Sequence, residues 1–208
     1  MKAITRPAGV YYANCYLVYD EKSNEGFIID PGGDAPEIIK LIKENSIKAN
    51  FIILTHGHFD HTGGVNYIRN LLKIPVLMNK KDFKFVSGAF KTLPYLPESD
   101  IITVDGFVKE EDIIQFGNEW ASIIETPGHT PGGISIKIQN CIFSGDTLFK
   151  DSIGRSDFPG GSSEDMINSL ENKLFIYPDE TVVYPGHGMK TTIGNEKKNF
   201  YQLNTFED

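Results

Sequence analysis

The amino-acid sequence predicts an α/β fold in a single domain that spans residues 1–208. Short, apolar, strand-like segments alternate with segments whose apolar residues recur at helical spacing. No low-complexity segment, fixed-period repeat or linker-like stretch divides the chain. The hydrophobic fraction of 40% and the charged fraction of 23% are those of an ordinary globular protein that buries a core.

The first third of the chain is predicted to contain strands followed by a helix and a further strand. Residues 16–19 and 26–29 are strand-like and are separated by a polar turn. Asp34 is a candidate helix N-cap, because apolar residues follow at helical spacing over 38–42. The continuous apolar run at 51–54 is typical of a strand that is covered on both faces.

That strand leads directly into the most informative segment, His56-Gly57-His58-Phe59-Asp60-His61. The ordered pattern His-x-His-x-Asp-His arises by accident on the order of 10⁻⁴ times per chain of this composition. Imidazole nitrogens and carboxylate oxygens are ligands for zinc, iron and manganese. The segment therefore predicts a metal site at the end of a rigid strand. Apolar residues at helical spacing over 65–72 predict a short helix behind this loop.

Three later strands are predicted to end in similar polar loops that contain glycine. The strands and the ligand candidates that follow them are 122–125 with His129, 141–143 with Asp146, and 181–184 with His187. Four such strand ends indicate that the loops converge on one site at one edge of a sheet structure.

Seven side chains are therefore candidate metal ligands: His56, His58, Asp60, His61, His129, Asp146 and His187. Seven donors are too many for one four-coordinate zinc ion, but they suit two divalent cations that share a carboxylate. Zinc is favoured, with iron or manganese as alternatives. A purely structural zinc site is disfavoured, because no cysteine belongs to the set and the ligands are spread along the chain.

Charge and hydropathy limit the classes of partner. The net charge is −8, and the chain has no basic stripe of the kind that binds nucleic acid. It has no apolar run long enough to span a membrane, and its first residues lack a signal-peptide core. The two cysteines, Cys15 and Cys141, lie in separate apolar segments and are interpreted as reduced thiols. We therefore expect a cytoplasmic protein with a small-molecule partner; a homodimer stays a hypothesis.

Taken together, the motifs resemble those of the metallo-β-lactamase superfamily, and within it the glyoxalase II (hydroxyacylglutathione hydrolase) branch. The matching motifs are His56-x-His58-x-Asp60-His61, Thr126-Pro-Gly-His129-Thr-Pro-Gly-Gly, Ser144-Gly-Asp146-Thr-Leu-Phe149 and Tyr184-Pro-Gly-His187-Gly. The resemblance extends from Ile29-Asp30-Pro31-Gly32-Gly33 to Thr191–Lys197. It implies a four-layered αββα sandwich with the metals at one edge of two sheets.

The resemblance also implies roles for the candidate ligands. His56, His58 and His129 would hold the first metal, Asp60, His61 and His187 would hold the second, and Asp146 would bridge the two. Asp60 and Asp146 would then be the catalytic carboxylates, as ligands that position a hydroxide between the metals. The implied reaction is hydrolysis of a small acyl-thioester, such as a hydroxyacyl derivative of a cellular thiol. True lactamases do not use a bridging aspartate, so no meaningful β-lactam hydrolysis is expected.

Two features bear on the substrate. The chain continues only from Thr191 to Asp208 after the last motif, so we expect the short type of relative, without a C-terminal helical glutathione-binding domain. Arg155 lies where the family has a substrate-contacting Gly-Lys, and the resemblance implies that it pairs with a substrate carboxylate. An ordinary surface arginine is the equal alternative.

Other functions stay open. Gly154-Arg155-Ser156-Asp157-Phe158 also resembles the persulfide dioxygenases of the same superfamily, in which one iron would be held by His56, His129 and Asp146. The hydrolase is favoured by the segment around His187. A non-catalytic metal-binding module is a third hypothesis, and it would predict a lost ligand.

Two predictions concern aromatic residues. Trp120 is predicted to be buried, and the segment 83–90 together with Tyr95 is predicted to supply core or dimer contacts.

Overall fold

The structure, a computed structural model, describes residues 1–88 and 101–204. The first of its two large sheets has the strand order β1-β2-β3-β4-β5-β6. The strands are β1 (Lys2–Ala8), β2 (Ala13–Tyr19), β3 (Glu25–Ile29), β4 (Lys48–Ile53), β5 (Val76–Asn79) and β6 (Gly106–Val108). Pairing is antiparallel from β1 to β3 and parallel from β3 to β6.

Helices connect the parallel strands of this sheet, as parallel pairing requires. They are α1 (Ala35–Glu44), α2 (Phe59–Thr62), α3 (Val65–Leu72) and α4 (Phe83–Val86), with a 3₁₀ turn at Lys80–Asp82 before α4. The predicted strands at 16–19, 26–29 and 51–54 are confirmed, as are the helices after Asp34 and over 65–72. The side chain of Asp34 does not cap α1, however. It accepts a hydrogen bond from the Gly9 backbone nitrogen instead, at 3.3 Å.

The second large sheet has the order β14-β13-β10-β9-β8-β7. Its strands are β7 (Ile113–Phe116), β8 (Glu119–Glu125), β9 (Ile134–Ile138), β10 (Cys141–Gly145), β13 (Val182–Pro185) and β14 (Thr191–Thr192), while β11 (Leu148–Phe149) and β12 (Ser152–Ile153) form a separate ribbon. The remaining helices are α5 (Ser163–Ser169), a π-helical turn at Leu170–Leu174 and α6 (Ile193–Asn204). Only β10 and β13 pair in parallel in this sheet.

Three buried apolar clusters hold four layers together. Residues of α1 and α3, such as Ile38 and Ile68, pack on the outer face of the first sheet. The inner faces of the two sheets meet in a second cluster that includes Phe27 and Phe143. Residues of α5 and α6, such as Met166, pack on the outer face of the second sheet. The predicted αββα sandwich is thus confirmed.

The second half of strand β4, Phe51–Ile53, is apolar without alternation because both of its faces are covered. Ile52 belongs to the cluster under the helices, and Ile53 belongs to the cluster between the sheets. Both side chains are fully buried, so the last residues of the strand present no polar face, whereas Lys48 and Asn50 at its start are exposed. This rigid central strand carries the histidine loop at its end.

The prediction that Trp120 is buried is wrong, because this side chain is 56% exposed. Trp120 pairs with Gln115 across β7 and β8 and points away from the space between the sheets. The helices on this side cover β10 and β13 through Ile142 and Val183, and leave this part of the second sheet uncovered.

Within residues 1–88 and 101–204, no helix combines the length and apolarity that a membrane crossing requires.

Candidate metal centre

All seven predicted ligand side chains lie at the same edge of the two sheets. The loop after β4 and the short helix α2 carry His56, His58, Asp60 and His61. The loops after β8, β10 and β13 carry His129, Asp146 and His187, respectively. Each ligand therefore follows the end of a strand, and both sheets contribute.

The predicted ligand atoms fall into two clusters, and a further set of donors within the same distance limit, Asp30, His56 and His61, connects them. The first cluster is His56, His58 and His129, and the second cluster is Asp60, His61 and His187. Within each cluster the donor atoms lie within 4.8 Å of one another. In the first, Nε2 of His129 lies 2.9 Å from Nδ1 of His58. In the second, Nε2 of His61 and Nε2 of His187 are 3.2 Å apart.

Asp146 lies between the two clusters. Its Oδ2 is 3.6 Å from Nε2 of His129 and 3.6 Å from Nε2 of His187, and its Oδ1 is 3.4 Å from Nε2 of His61. The carboxylate thus faces one histidine of the first cluster and two of the second. Gly186 makes this approach feasible, because a Cβ there would lie 2.0 Å from Asp146 Oδ1.

In His56, His61 and His129, the ring nitrogen Nδ1 makes a hydrogen bond outside the clusters. Nδ1 of His61 lies 2.9 Å from Oδ2 of Asp30, and Nδ1 of His129 lies 2.6 Å from the Arg155 carbonyl oxygen. Nδ1 of His56 lies 3.1 Å from the Thr55 hydroxyl, which itself donates to Asp30 at 2.5 Å. These acceptors assign the proton to Nδ1 in the neutral rings. The Nε2 lone pairs are then directed into the clusters, as in metal sites.

Burial and local charge keep most of the donors in the form that binds metals. Burial lowers the pKa of His58 to about 4, with a further contribution from His129. Burial also lowers the pKa of His56 well below its usual value. Burial of Asp60 opposes its ionisation, but the hydrogen bond with His187 and the charge of His61 hold its pKa below normal. Neutral imidazoles and ionised carboxylates are the states that coordinate a cation.

The pKa of His61 is shifted in the opposite direction to those of His56 and His58, because carboxylates surround it. Its burial favours the neutral ring, but contacts with Asp146 and Asp30 raise its pKa well above the usual value. The carboxylates of the site therefore attract positive charge. A divalent cation next to these carboxylates would supply that charge and leave the ring neutral.

Two buried atoms of the site support the assignment to metal binding. Among the described residues, Nε2 of His56 is buried without a hydrogen-bond partner, and the buried Oδ1 of Asp146 has only the long 3.4 Å contact with Nε2 of His61. An unsatisfied buried acceptor costs about 1–3 kcal/mol unless something occupies it. Both atoms belong to a set of nitrogen and oxygen donors that suits borderline divalent metals. The residues present therefore fit a pair of such ions.

Residues that the sequence reasoning missed hold the ligand loops in place. The Asp82 carboxylate accepts hydrogen bonds from the backbone nitrogens of Gly57 and Gly132, at 3.0 and 2.6 Å. Asn14 donates to the carbonyl oxygens of Pro185 and Gly188, at 3.0 and 2.9 Å. Asp30 could have been found as a polar residue at the end of a strand. Asp82 and Asn14 carry no such signal, because their role depends on contacts across the fold.

Arg155 lies beside the centre, and its backbone contributes as well as its side chain. Its carbonyl oxygen accepts the hydrogen bond from His129 described above. Its guanidinium makes a two-bond contact with Asp157, at 2.9 and 2.7 Å, and lies 4.4 Å from the centre of the Phe158 ring. The pairing with a substrate carboxylate stays a prediction.

Aromatic rings form one wall of the site. Phe85 and Phe158 lie edge-on to His58, with ring centres 5.7 and 6.0 Å away. Phe158 also contacts His129, at 5.9 Å. Of the aromatic segment predicted to form core or dimer contacts, Phe85 is buried, whereas Phe90 and Tyr95 lie outside the described residues.

Comparison with known proteins agrees with this geometry. The sequence profile of the metallo-beta-lactamase superfamily matches residues 8–187. The hydroxyacylglutathione hydrolase GloC of Haemophilus influenzae is 35% identical over 208 residues, which cover 96% of this chain and 96% of that protein.

Solved structures match over nearly the whole chain. The crystal structure of BLEG-1 B3 metallo-beta-lactamase has a TM-score of 0.89 at 35% identity, covering 95% of this chain and 97% of the other. TTHA1623 in a di-iron-bound form has a TM-score of 0.81 at 32% identity, with coverages of 96% and 98%. ETHE1 from Myxococcus xanthus has a TM-score of 0.80 at 25% identity, with coverages of 96% and 83%.

Proposed function

Because this chain belongs to the metallo-beta-lactamase superfamily, we propose that it is a metal-dependent hydrolase that cleaves small acyl-thioesters of the hydroxyacylglutathione type. The observation that carries the proposal is the pair of clusters that face one shared carboxylate, Asp146. All five histidines of the chain belong to this arrangement. The similarity to a hydroxyacylglutathione hydrolase supports the choice of substrate class.

Each of the seven predicted ligands has a defined role in the proposed reaction. His56, His58 and His129 would hold one divalent cation, Asp60, His61 and His187 a second, and Asp146 would contact both. Cations held there would supply the chemistry that the residues lack, namely a water of lowered pKa and polarisation of a substrate carbonyl. Asp30 and the Arg155 carbonyl accept from Nδ1 of His61 and His129, and so orient Nε2 of both rings towards the clusters. A thiolate leaves without prior protonation more easily than an alkoxide, so the reaction needs no further histidine as an acid.

The proposal includes the cellular setting as well as the chemistry. Zinc is the preferred metal, and the di-iron form of a similar protein keeps iron as an alternative. We propose a single-domain, cytoplasmic protein that acts on a small molecule and binds neither nucleic acid nor membrane. A homodimer is included as a hypothesis.

Metal analysis and a thioesterase assay test the proposal together. Purified protein should contain about two zinc, iron or manganese ions per chain, and it should release free thiol from a hydroxyacyl thioester of glutathione. Asp146→Asn should lower kcat by on the order of 10²-fold or more, because it removes the shared ligand. Asp105→Asn is the control, since this carboxylate pairs with Arg69 away from the site. Two metals without thioester hydrolysis, or with preferred hydrolysis of a β-lactam, would contradict the proposal.

A persulfide dioxygenase with a single iron is the second candidate. The similarity to ETHE1 and the Gly154–Phe158 segment favour it. It predicts one iron per chain, which zinc does not replace, and oxygen uptake that is stoichiometric with glutathione persulfide. Metal bound without any turnover would instead support a non-catalytic module.

A further inference from the structure

We propose that Asp82 is a positioning residue that fixes the spacing between the two loops of the first cluster. The inference rests on the proposed function in one respect, namely that His56, His58 and His129 bind a metal ion. Asp82 belongs to the 3₁₀ turn after β5, and its side chain is fully buried. It is not itself one of the ligands.

Each carboxylate oxygen of Asp82 serves a different loop. Oδ2 accepts from the backbone nitrogen of Gly57, the residue between His56 and His58, at 3.0 Å. Oδ1 accepts from the backbone nitrogen of Gly132, three residues after His129, at 2.6 Å. These partners are 25 and 50 residues away in sequence, so one side chain connects two distant parts of the chain.

The packing around these glycines leaves little freedom for the loops to move. A Cβ on Gly132 would lie 2.6 Å from the Asp82 backbone nitrogen and 2.7 Å from its Oδ1. A Cβ on Gly57 would lie 3.0 Å from the Asp82 carbonyl oxygen and 2.8 Å from Cβ of Phe85. Both loops therefore approach the turn so closely that only glycine fits without displacement.

This arrangement matters for the metal because the first cluster has ligands on both loops. His58 and His129 are 71 residues apart in sequence, and the two nitrogens that would face the same ion lie 2.9 Å apart. Metal affinity falls when supporting contacts let ligands drift from the productive geometry. A carboxylate has two acceptor oxygens, whereas the amide of asparagine has one. Asp82→Asn therefore conserves shape but leaves one of the two loops without its hydrogen bond.

The test compares the zinc affinity of Asp82→Asn with that of a control variant, Asp20→Asn, in which a similar buried carboxylate is replaced. Asp20 is 4% exposed and also accepts from two backbone nitrogens, those of Lys22 and Asn118, at 3.0 and 3.1 Å. It follows the far end of β2, about 20 Å along the strand from Asn14. Asp20→Asn removes the same kind of contact without touching a ligand loop.

Affinity is measured by competition with a chromophoric chelator in the His187→Ala background, where only the first cluster keeps all its histidines. Asp82→Asn should raise the zinc Kd by about 10–100-fold. Asp20→Asn should lower the free energy of unfolding but change the zinc Kd by no more than about twofold. Gly132→Ala, whose Cβ pushes the loop off Asp82, should weaken zinc binding in the same direction and serves if Asp82→Asn does not fold.

The outcomes separate the two proposals. If Asp82→Asn is destabilised but binds zinc as tightly as its parent, the positioning role is wrong and Asp82 is only structural. Equal losses of affinity in Asp82→Asn and Asp20→Asn would also overturn it. If the unsubstituted protein binds no divalent metal, the proposed function fails and the positioning role fails with it.

Discussion

At the residue scale, Asp30 is the side chain on which both clusters depend. Its carboxylate accepts from His61 directly and from His56 through the Thr55 hydroxyl. Asp30→Asn would present an amide group to one of these donors and disturb the proton placement on the ring. We expect zinc affinity to fall by about 10–100-fold, as measured by chelator competition. Asp34→Asn, four residues later at a half-exposed position, is the control. Unchanged affinity in Asp30→Asn would contradict this role.

At the element scale, strand β2 of the first sheet supports the loop after β13 of the second sheet. Asn14 donates to the carbonyl oxygens of Pro185 and Gly188, and the Tyr16 hydroxyl donates to Pro185 at 2.5 Å. These contacts flank His187, the half-exposed ligand of the second cluster. A metal at the second cluster would therefore depend on a strand that contributes no ligand.

Asn14→Ala tests this support. We expect the free energy of unfolding to fall by about 1–3 kcal/mol, because two hydrogen bonds of about 0.5–1.5 kcal/mol each are lost. We also expect the metal content to fall from two ions towards one per chain. Asn140→Ala is the matched control, since Asn140 donates to the Glu180 carbonyl away from the site. A destabilised Asn14→Ala protein that keeps both metals would show that β2 supports the fold but not the ligand.

At the scale of the whole molecule, the metals would join the two sheets. The first cluster takes ligands from the loops after β4 and β8, and the second takes them from α2 and the loop after β13. A ligand that binds only the folded state stabilises it by about 4 kcal/mol when present at about 1,000 times its Kd. For a chain of this size, removal of each metal should lower Tm by about 8–16 °C. Calorimetry with and without a chelator measures this, and an unchanged Tm would show that the sheets do not share a bound ion.

Features encoded in short segments, such as the strands and the ligand motifs, could be predicted from the sequence. Features that depend on contacts between distant segments could not. The ligand motifs stand at the ends of apolar strands, so both the strands and the ligands are visible in the sequence. Asp82 follows Asn79-Lys80-Lys81, a polar run typical of a surface turn, and only the fold shows that it is buried. Trp120 has the pattern of a core residue, but whether a helix covers its face depends on where α5 and α6 pack. The prediction failed at that point because coverage is a property of the assembled layers.

The sequence distances within the clusters set the order of events during biosynthesis. His58 and His129 are 71 residues apart, and His61 and His187 are 126 residues apart. Neither cluster can form before the later histidine has been synthesised and the two sheets have docked. The apolar clusters that hold the layers together contain none of the ligands. We therefore expect metal to be captured by a chain that has already folded, in contrast to zinc fingers, whose folding waits for the ion.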